Sequence, residues 1–250
     1  MAKNLFPGVA RPLVFAHRGY SAAKTENTMS AFQAARECGA TGIELDIQMC
    51  STGEIVVFHD WTVDRMSGTT GTVVEMSWRE LSKLSLAGNE RIPRLTEVLD
   101  EFGSSMYFDI EIKTRGRGGS GIEQALVSML QSRGMADRVL VSSFNPYPLK
   151  EFKRIAPGIP TSIIYTNGSS ELPWYLRRGL GRQLAGTDGL KPNQKQVTSF
   201  NMFLRRIRGV SVLPWTVDDP NEAVRLVRAG CDGVITNDPP KILAALAQSA

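Results

Sequence analysis

The chain contains two histidines among its 250 residues. Each sits where an apolar run gives way to a loop: His17 in Phe15-Ala16-His17-Arg18-Gly19 and His59 in Val56-Val57-Phe58-His59-Asp60. Imidazole trades protons near neutral pH, so the groups best suited to acid–base work are concentrated at two strand ends. Between them lies Glu44-Leu45-Asp46, and further on Asp109-Ile110-Glu111-Ile112-Lys113. Residues at i and i+2 of a strand share one face, so each segment aims its charged groups to one side of a sheet. Carboxylates on a buried face need a cation. Oxygen donors without cysteine favour a hard one, magnesium or calcium, over zinc. Two imidazoles, converging carboxylates and a lysine compose a kit for metal-assisted cleavage of a phosphate ester.

Each of these residues also has a blander role open to it. A Glu-x-Asp pair can serve barrel lysines or arginines, and either histidine can be a hydrogen-bonded structural group. Arg18 can brace a loop carbonyl, although its guanidinium fork suits a phosphate. Trp215 can be a core aromatic or, from its strand-end position, a pocket wall. Joint placement on one face favours the chemical reading, because independent structural roles would not gather there.

The elements that must position these groups follow from periodicity. Short apolar runs at 13–17, 42–47, 107–113, 139–143, 161–165, 186–190, 210–217 and 233–236 alternate with amphipathic segments. That pattern predicts eight parallel strands wrapped in helices, an α/β fold of the (β/α)8 TIM-barrel class, as one domain over residues 1–250. His17, Glu44, Asp46, Glu111 and Lys113 then all lie at the carboxyl ends of strands, where barrels of this class build their sites. Helix punctuation is clear in places: Asn27 as an N-cap before Met29 and Phe32, Leu126, Met129 and Leu130 before Gly134, and Phe200, Leu204 and Ile207 before Gly209. The best signal is Asp219-Pro220-Asn221-Glu222 running to Gly230. The run Ile55 to His59 is too close to Asp46 for a parallel crossover and predicts a hairpin. A turn centred on Thr52-Gly53 would set His59 opposite Asp46. Residues from about 48 to 90 thus form an insertion after strand two, with Ser77-Trp78-Arg79-Glu80 as a capping box and Leu81 and Leu84 as its apolar face.

Composition narrows the function. The chain is 42% hydrophobic and 22% charged, and Lys+Arg 29 against Asp+Glu 25 gives a formal charge of +4. That mild excess lacks the clustered basic face of a nucleic-acid binder and is compatible with an anionic substrate. Met1 to Pro12 carries one lysine and no apolar run, unlike a secretory leader. No stretch approaches the ~20 apolar residues of a membrane span. Cys38, Cys50 and Cys231 read as reduced structural thiols, and the expected location is the cytoplasm. Leu172-Pro173-Trp174-Tyr175-Leu176 followed by Arg177, Arg178 and Arg182 could face a lipid surface, but a barrel helix with a solvated basic face is the simpler reading.

An ordered series of motifs carries a resemblance. His17-Arg18-Gly19, Glu26-Asn27-Thr28, Glu44-Leu45-Asp46, Val57-Phe58-His59-Asp60 with Asp64-Arg65 and Gly68 to Gly71, Ile92-Pro93-Arg94-Leu95, Glu111-Ile112-Lys113, Trp215-Thr216-Val217 and Thr236-Asn237-Asp238-Pro239 together resemble the glycerophosphodiester phosphodiesterases. The resemblance implies that Glu44, Asp46 and Glu111 hold one divalent cation, Mg2+ or Ca2+. It implies that His17 and His59 form the acid–base pair and that Arg18 and Lys113 bind phosphate. The 48 to 90 segment matches that family's small insertion. The implied reaction is hydrolysis of a glycerophosphodiester to glycerol 3-phosphate and an alcohol. Its rivals are a lysophospholipase D or sphingomyelinase D type of activity, and a phosphate-binding protein without turnover. Two features depart from the pattern: Asp218 stands where the family often has asparagine, and Asn167 to Asn193 matches none of its motifs.

Overall fold

The computed structural model describes residues 5–117, 121–167, 179–198, 202 and 209–249. Among these described residues nine strands run in chain order as β1 Leu13–His17, β2 Gly42–Met49, β3 Ile55–Val57, β4 Tyr107–Ile112, β5 Val139–Ser143, β6 Thr161–Tyr165, β7 Gly189–Pro192, β8 Ser211–Val212 and β9 Gly233–Thr236. Eight are parallel in the order β8-β7-β6-β5-β4-β2-β1-β9, with β3 paired off that path to β2. The two edges meet where Asp232 N–H donates to Val212 O at 3.0 Å and Ile235 N–H donates to Pro214 O at 3.0 Å. The sheet is a nearly closed barrel with helices between its strands, the TIM-barrel architecture.

Strand alternation sorts the interior from the wall. Along β2, Ile43, Leu45 and Ile47 join the large apolar cluster that also takes in Val98, Leu99 and Phe102 of the helix Leu95–Phe102. That helix repeats apolar residues at i, i+3, i+4 and i+7, which gives one stripe for the sheet to cover. Each buried side chain contributes roughly 1.5–3 kcal/mol, so Leu99→Ala would be felt throughout this wall. The lower barrel interior is a separate apolar cluster of Leu5, Phe6, Leu13, Phe15, Leu140, Leu213 and Ile235. Phe6 packs on Phe15 at 5.3 Å between ring centroids. The charged residues of β2 and β4 therefore stand above an apolar floor, where their interactions are poorly screened.

The insertion has apolar contacts of its own: Cys50, Val56, Phe58, Val63, Val73, Leu81, Leu86 and Ile92 cluster apart from the wall. The expected capping box is present, with Ser77 Oγ accepting from Glu80 N–H and the Glu80 carboxylate accepting from Ser77 N–H. Pro220–Arg228 starts at Asp219, whose side chain accepts from Asn221 N–H at 2.9 Å. Cys38, Cys50 and Cys231 form no disulfide. Among the described residues no helix is long and apolar enough to cross a membrane.

Four expectations need correction. The hairpin register pairs Ile47 with Val57, so Phe58, not His59, comes opposite Asp46. Its loop spans three residues, not two, and Gly53 takes φ 94, a left-handed value suited to glycine. Asn27 is not the cap of the first helix; Thr28 is, accepting from Ala31 N–H, while Asn27 takes φ 55. The strand expected at 186–190 is Gly189–Pro192, because Gly186 ends the helix Gly181–Ala185 in a left-handed turn. The strand expected at 210–217 is regular only over Ser211–Val212. Pro214 has no N–H for a ladder, and the chain then crosses from β7 to β9 through Val217 N–H on Ile235 O at 2.8 Å. Leu172 to Arg178 and the helix expected around Phe200, Leu204 and Ile207 lie outside the described residues.

Candidate active site

Three neighbouring strand ends assemble the site. The β1–β2 register pairs His17 with Glu44, and the β2–β4 register pairs Glu44 with Asp109 and Asp46 with Glu111. Topology alone thus sets four carboxylates and an imidazole side by side at one end of the barrel. All four carboxylates are buried, Asp109 completely and Asp46 to 1% exposure. Such a cluster is tolerable only with cations among it.

Three cations offset part of that charge. Lys113 Nζ lies 3.7 Å from Asp46 and 3.5 Å from Glu111. Arg18 bridges outward, with Nη1 3.0 Å from Glu26 and Nε 3.4 Å from Asp46. Lys191, 1% exposed at the end of β7, reaches Asp109 at 2.7 Å and Glu44 at 3.5 Å, and donates to Ser142 Oγ at 3.0 Å. Burial opposes ionisation of Asp46, yet Lys113, His59, Arg18 and the Asn27 amide hold its carboxyl below the ordinary range. Glu44 behaves oppositely: burial first, then the Asp46 and Asp109 carboxylates, outweigh Lys191 and push it up to about 7. Burial also raises Glu111 against the pull of Lys113. The cluster is short of positive charge. Among the described residues no three acidic, imidazole or thiol groups stand at metal-ligand spacing, and Lys113 is the cation beside Asp46 and Glu111.

The two histidines approach this cluster from different elements. His17 is held through Nδ1, 2.7 Å from Asn237 Oδ1 beyond β9, and its Nε2 lies 4.0 Å from Glu44. Burial, then the Arg18 charge, lowers its pKa and favours a neutral ring. The following turn packs tightly: Gly19 takes φ 82, and a Cβ there would stand 2.7 Å from Ala31. His59 is placed by the insertion. Gln48 on β2 donates to Phe58 O at 2.9 Å and to Asp60 O at 2.8 Å, pinning the chain on both sides of it. His59 Nδ1 lies 2.8 Å from Asp60, which accepts from Arg65 at 2.5 Å, and Arg65 donates to Glu26 at 2.6 Å. The one-residue register change still leaves His59 tied to the site, because Arg65 links its partner Asp60 to Glu26, which Arg18 also reaches at 3.0 Å.

Trp215 is half-buried nearby, donating Nε1–H to Lys191 O at 2.9 Å and meeting Phe144 edge-on at 5.5 Å. All eight residues singled out from sequence thus lie around one end of the barrel. Sequence reasoning missed Lys191, Ser142, Gln48 and the role of Asn27, whose Nδ2 donates to Asp46 at 2.9 Å. Asn27 and Asn237 were visible only as parts of motifs. Lys191 fell just beyond the misplaced strand, although a lysine two residues after Gly189 shares that residue's inward face.

This arrangement has clear relatives. The model of the "Glycerophosphoryl diester phosphodiesterase family" matches residues 17–241. The chain is 36% identical over 241 residues to a glycerophosphodiester phosphodiesterase of Caldanaerobacter subterraneus subsp. tengcongensis, covering 93% of this chain and 97% of that one. A solved phosphodiesterase of Oleispira antarctica, in complex with the product sn-glycerol-3-phosphate, is 27% identical with a TM-score of 0.80 over 94% of this chain and 97% of that one. A glycerophosphodiester phosphodiesterase of Thermotoga maritima is 26% identical with a TM-score of 0.73 over 96% of this chain and 99% of that one. With a match that runs from the first histidine to the start of the last helix, the chain belongs to the glycerophosphoryl diester phosphodiesterase family.

Proposed function

We propose that the enzyme hydrolyses glycerophosphodiesters to glycerol 3-phosphate and a free alcohol at this end of the barrel. The observation that carries the reading is the approach of His17, 4.0 Å from Glu44, to the buried carboxylates that the β2–β4 register sets side by side. The relative of known structure that holds sn-glycerol-3-phosphate supports the same product here. We assign residues 1–250 to one barrel domain, with 48–90 as an insertion subdomain that delivers His59.

Glu44, Asp46 and Glu111 fit a hard divalent cation, Mg2+ or Ca2+. They are all-oxygen donors, buried, and two of them, Glu44 and Glu111, are raised by that burial and by their carboxylate neighbours. When bound, the cation supplies Lewis-acid polarisation of the phosphoryl group. The protein's own groups do the rest. Neutral His17, with a free lone pair, takes a proton from the attacking hydroxyl. His59, held by Asp60, delivers one to the departing alkoxide, and the roles reverse in any second step. Arg18 and Lys113 offset the charge that develops on the phosphoryl oxygens. Trp215 forms one wall for the substrate. Cysteines kept out of disulfides suit a reducing compartment, and we place the enzyme in the cytoplasm.

The test is a panel of glycerophosphocholine, glycerophosphoethanolamine and glycerophosphoglycerol beside lysophosphatidylcholine, each with magnesium or calcium. Release of glycerol 3-phosphate from the water-soluble diesters is expected. Turnover confined to the lysolipid would overturn the substrate class, and binding without turnover of any of them would overturn catalysis.

A further inference from the structure

His17 is held by an amide, and an amide can turn over. Presenting oxygen or nitrogen to the imidazole decides which ring nitrogen keeps the proton. Asp218 removes that choice. Its Oδ2 lies 2.7 Å from Asn237 Nδ2, while its Oδ1 accepts from Asn237 N–H at 2.8 Å and from Thr236 Oγ1 at 2.9 Å. A carboxylate has no proton to give, so Nδ2 must face Asp218 and Oδ1 must face His17 Nδ1 at 2.7 Å. Ser21 Oγ donates to His17 O at 2.8 Å and also lies 3.0 Å from that oxygen, a neutral contact sharing one proton that is weaker than the charge-assisted bond of the amide to Asp218. We propose that Asp218 is a positioning residue that fixes His17 as the Nδ1-protonated tautomer by locking the amide of Asn237. The lone pair then sits on Nε2, which faces Glu44 at 4.0 Å. The residue that departs from the family pattern thereby acquires a role, one that rests on the acid–base assignment of His17.

Exchange chemistry tests it. In Asp218→Asn, the backbone N–H of Asn237 cannot turn over, so the new amide keeps its oxygen there and turns its NH2 toward the Asn237 side chain. Asn237 must flip, its nitrogen then faces His17, and the ring proton moves to Nε2. Combining Asp218→Asn with Asn237→Asp restores every polarity: the new carboxylate accepts from His17 Nδ1 and from the amide at position 218. The readouts are nitrogen NMR of labelled imidazoles, uncrowded because the chain has two histidines, together with kcat, KM and thermal melting. The single variant is expected to show the Nε2-protonated ring and to lose ~10²-fold or more in kcat with little change in KM. The double variant is expected to regain the wild-type ring and to come within about tenfold of wild-type kcat. An unchanged tautomer in the single variant overturns the proposal, as does a double variant no better than the single. A switched tautomer with unchanged kcat upholds the positioning and overturns the catalytic role of His17 instead. If the single variant does not fold, the tautomer of the double decides alone, the Nε2-protonated form overturning the proposal.

Discussion

Replacing Lys191 with methionine removes the ammonium on which the barrel interior depends. Lys191 is 1% exposed and stands 2.7 Å from Asp109, 3.5 Å from Glu44 and 3.0 Å from Ser142 Oγ. Methionine keeps nearly the same volume, so the packing loss is small. The electrostatic loss is not, because Asp109 is fully buried and Glu44 nearly so. Breaking a buried pair by deleting one partner costs ~3–5 kcal/mol. In a domain of this size each kcal/mol lowers Tm by ~2–4 °C, which puts the expected drop at ~6–20 °C near neutral pH. The pH dependence has a definite sign. Carboxylates without their cation have folded-state pKa values above the unfolded ones, so their neutral forms favour the fold and stability falls as pH rises through the folded values. The deficit relative to wild type should therefore widen from mildly acidic to neutral pH in urea titrations. Adding Asp109→Asn neutralises the most buried orphan and should recover more than half of the loss. A Lys191→Met variant within ~1 kcal/mol of wild type, or a double variant no more stable than the single, would refute the reasoning.

Further outcomes follow from other contacts. Gln48→Ala strips two hydrogen bonds from the chain around His59 and is expected to cost ~1–3 kcal/mol and about tenfold in kcat, with faster amide exchange near Phe58 to Asp60 by mass spectrometry. Glu44→Gln, Asp46→Asn and Glu111→Gln should each weaken binding of Mg2+ or Ca2+ by at least about tenfold in calorimetry, since a hard cation with three protein carboxylates cannot spare one. Hydrogen bonding from Arg91 holds Glu97 down to about 2. Its folded pKa is depressed, so its stabilisation is present above the unfolded value and is lost as pH falls toward about 2. Glu97→Gln should flatten that part of the acid unfolding profile, and an unchanged slope would contradict the assignment.

The parts legible from sequence were those that strand alternation determines. Glu44 and Asp46 had to share a face, and so did Glu111 and Lys113; the β2–β4 register then made them neighbours. His17 was legible because an apolar strand ends on it. What escaped needed information that alternation does not carry. A glycine-containing turn of two or three residues leaves the same sequence trace, so the hairpin register moved by one. Asparagine suits both an N-cap and a left-handed turn, which hid the reach of Asn27 into the barrel. Lys191 was obscured because Gly186 looks like the start of a strand and is the end of a helix. The pairing of Asp218 with Asn237 exists only because the chain after β8 and the chain after β9 come together at the mouth.

Phosphorus NMR of glycerophosphodiester cleavage by His17→Ala and His59→Ala, with saturating magnesium or calcium and with cation binding measured in parallel, probes the site most directly. Each variant is expected to bind the cation and melt like wild type, and to release glycerol 3-phosphate ~10²- to 10⁴-fold more slowly. Either variant releasing it at the wild-type rate would contradict the acid–base assignment on which this reading of the site stands.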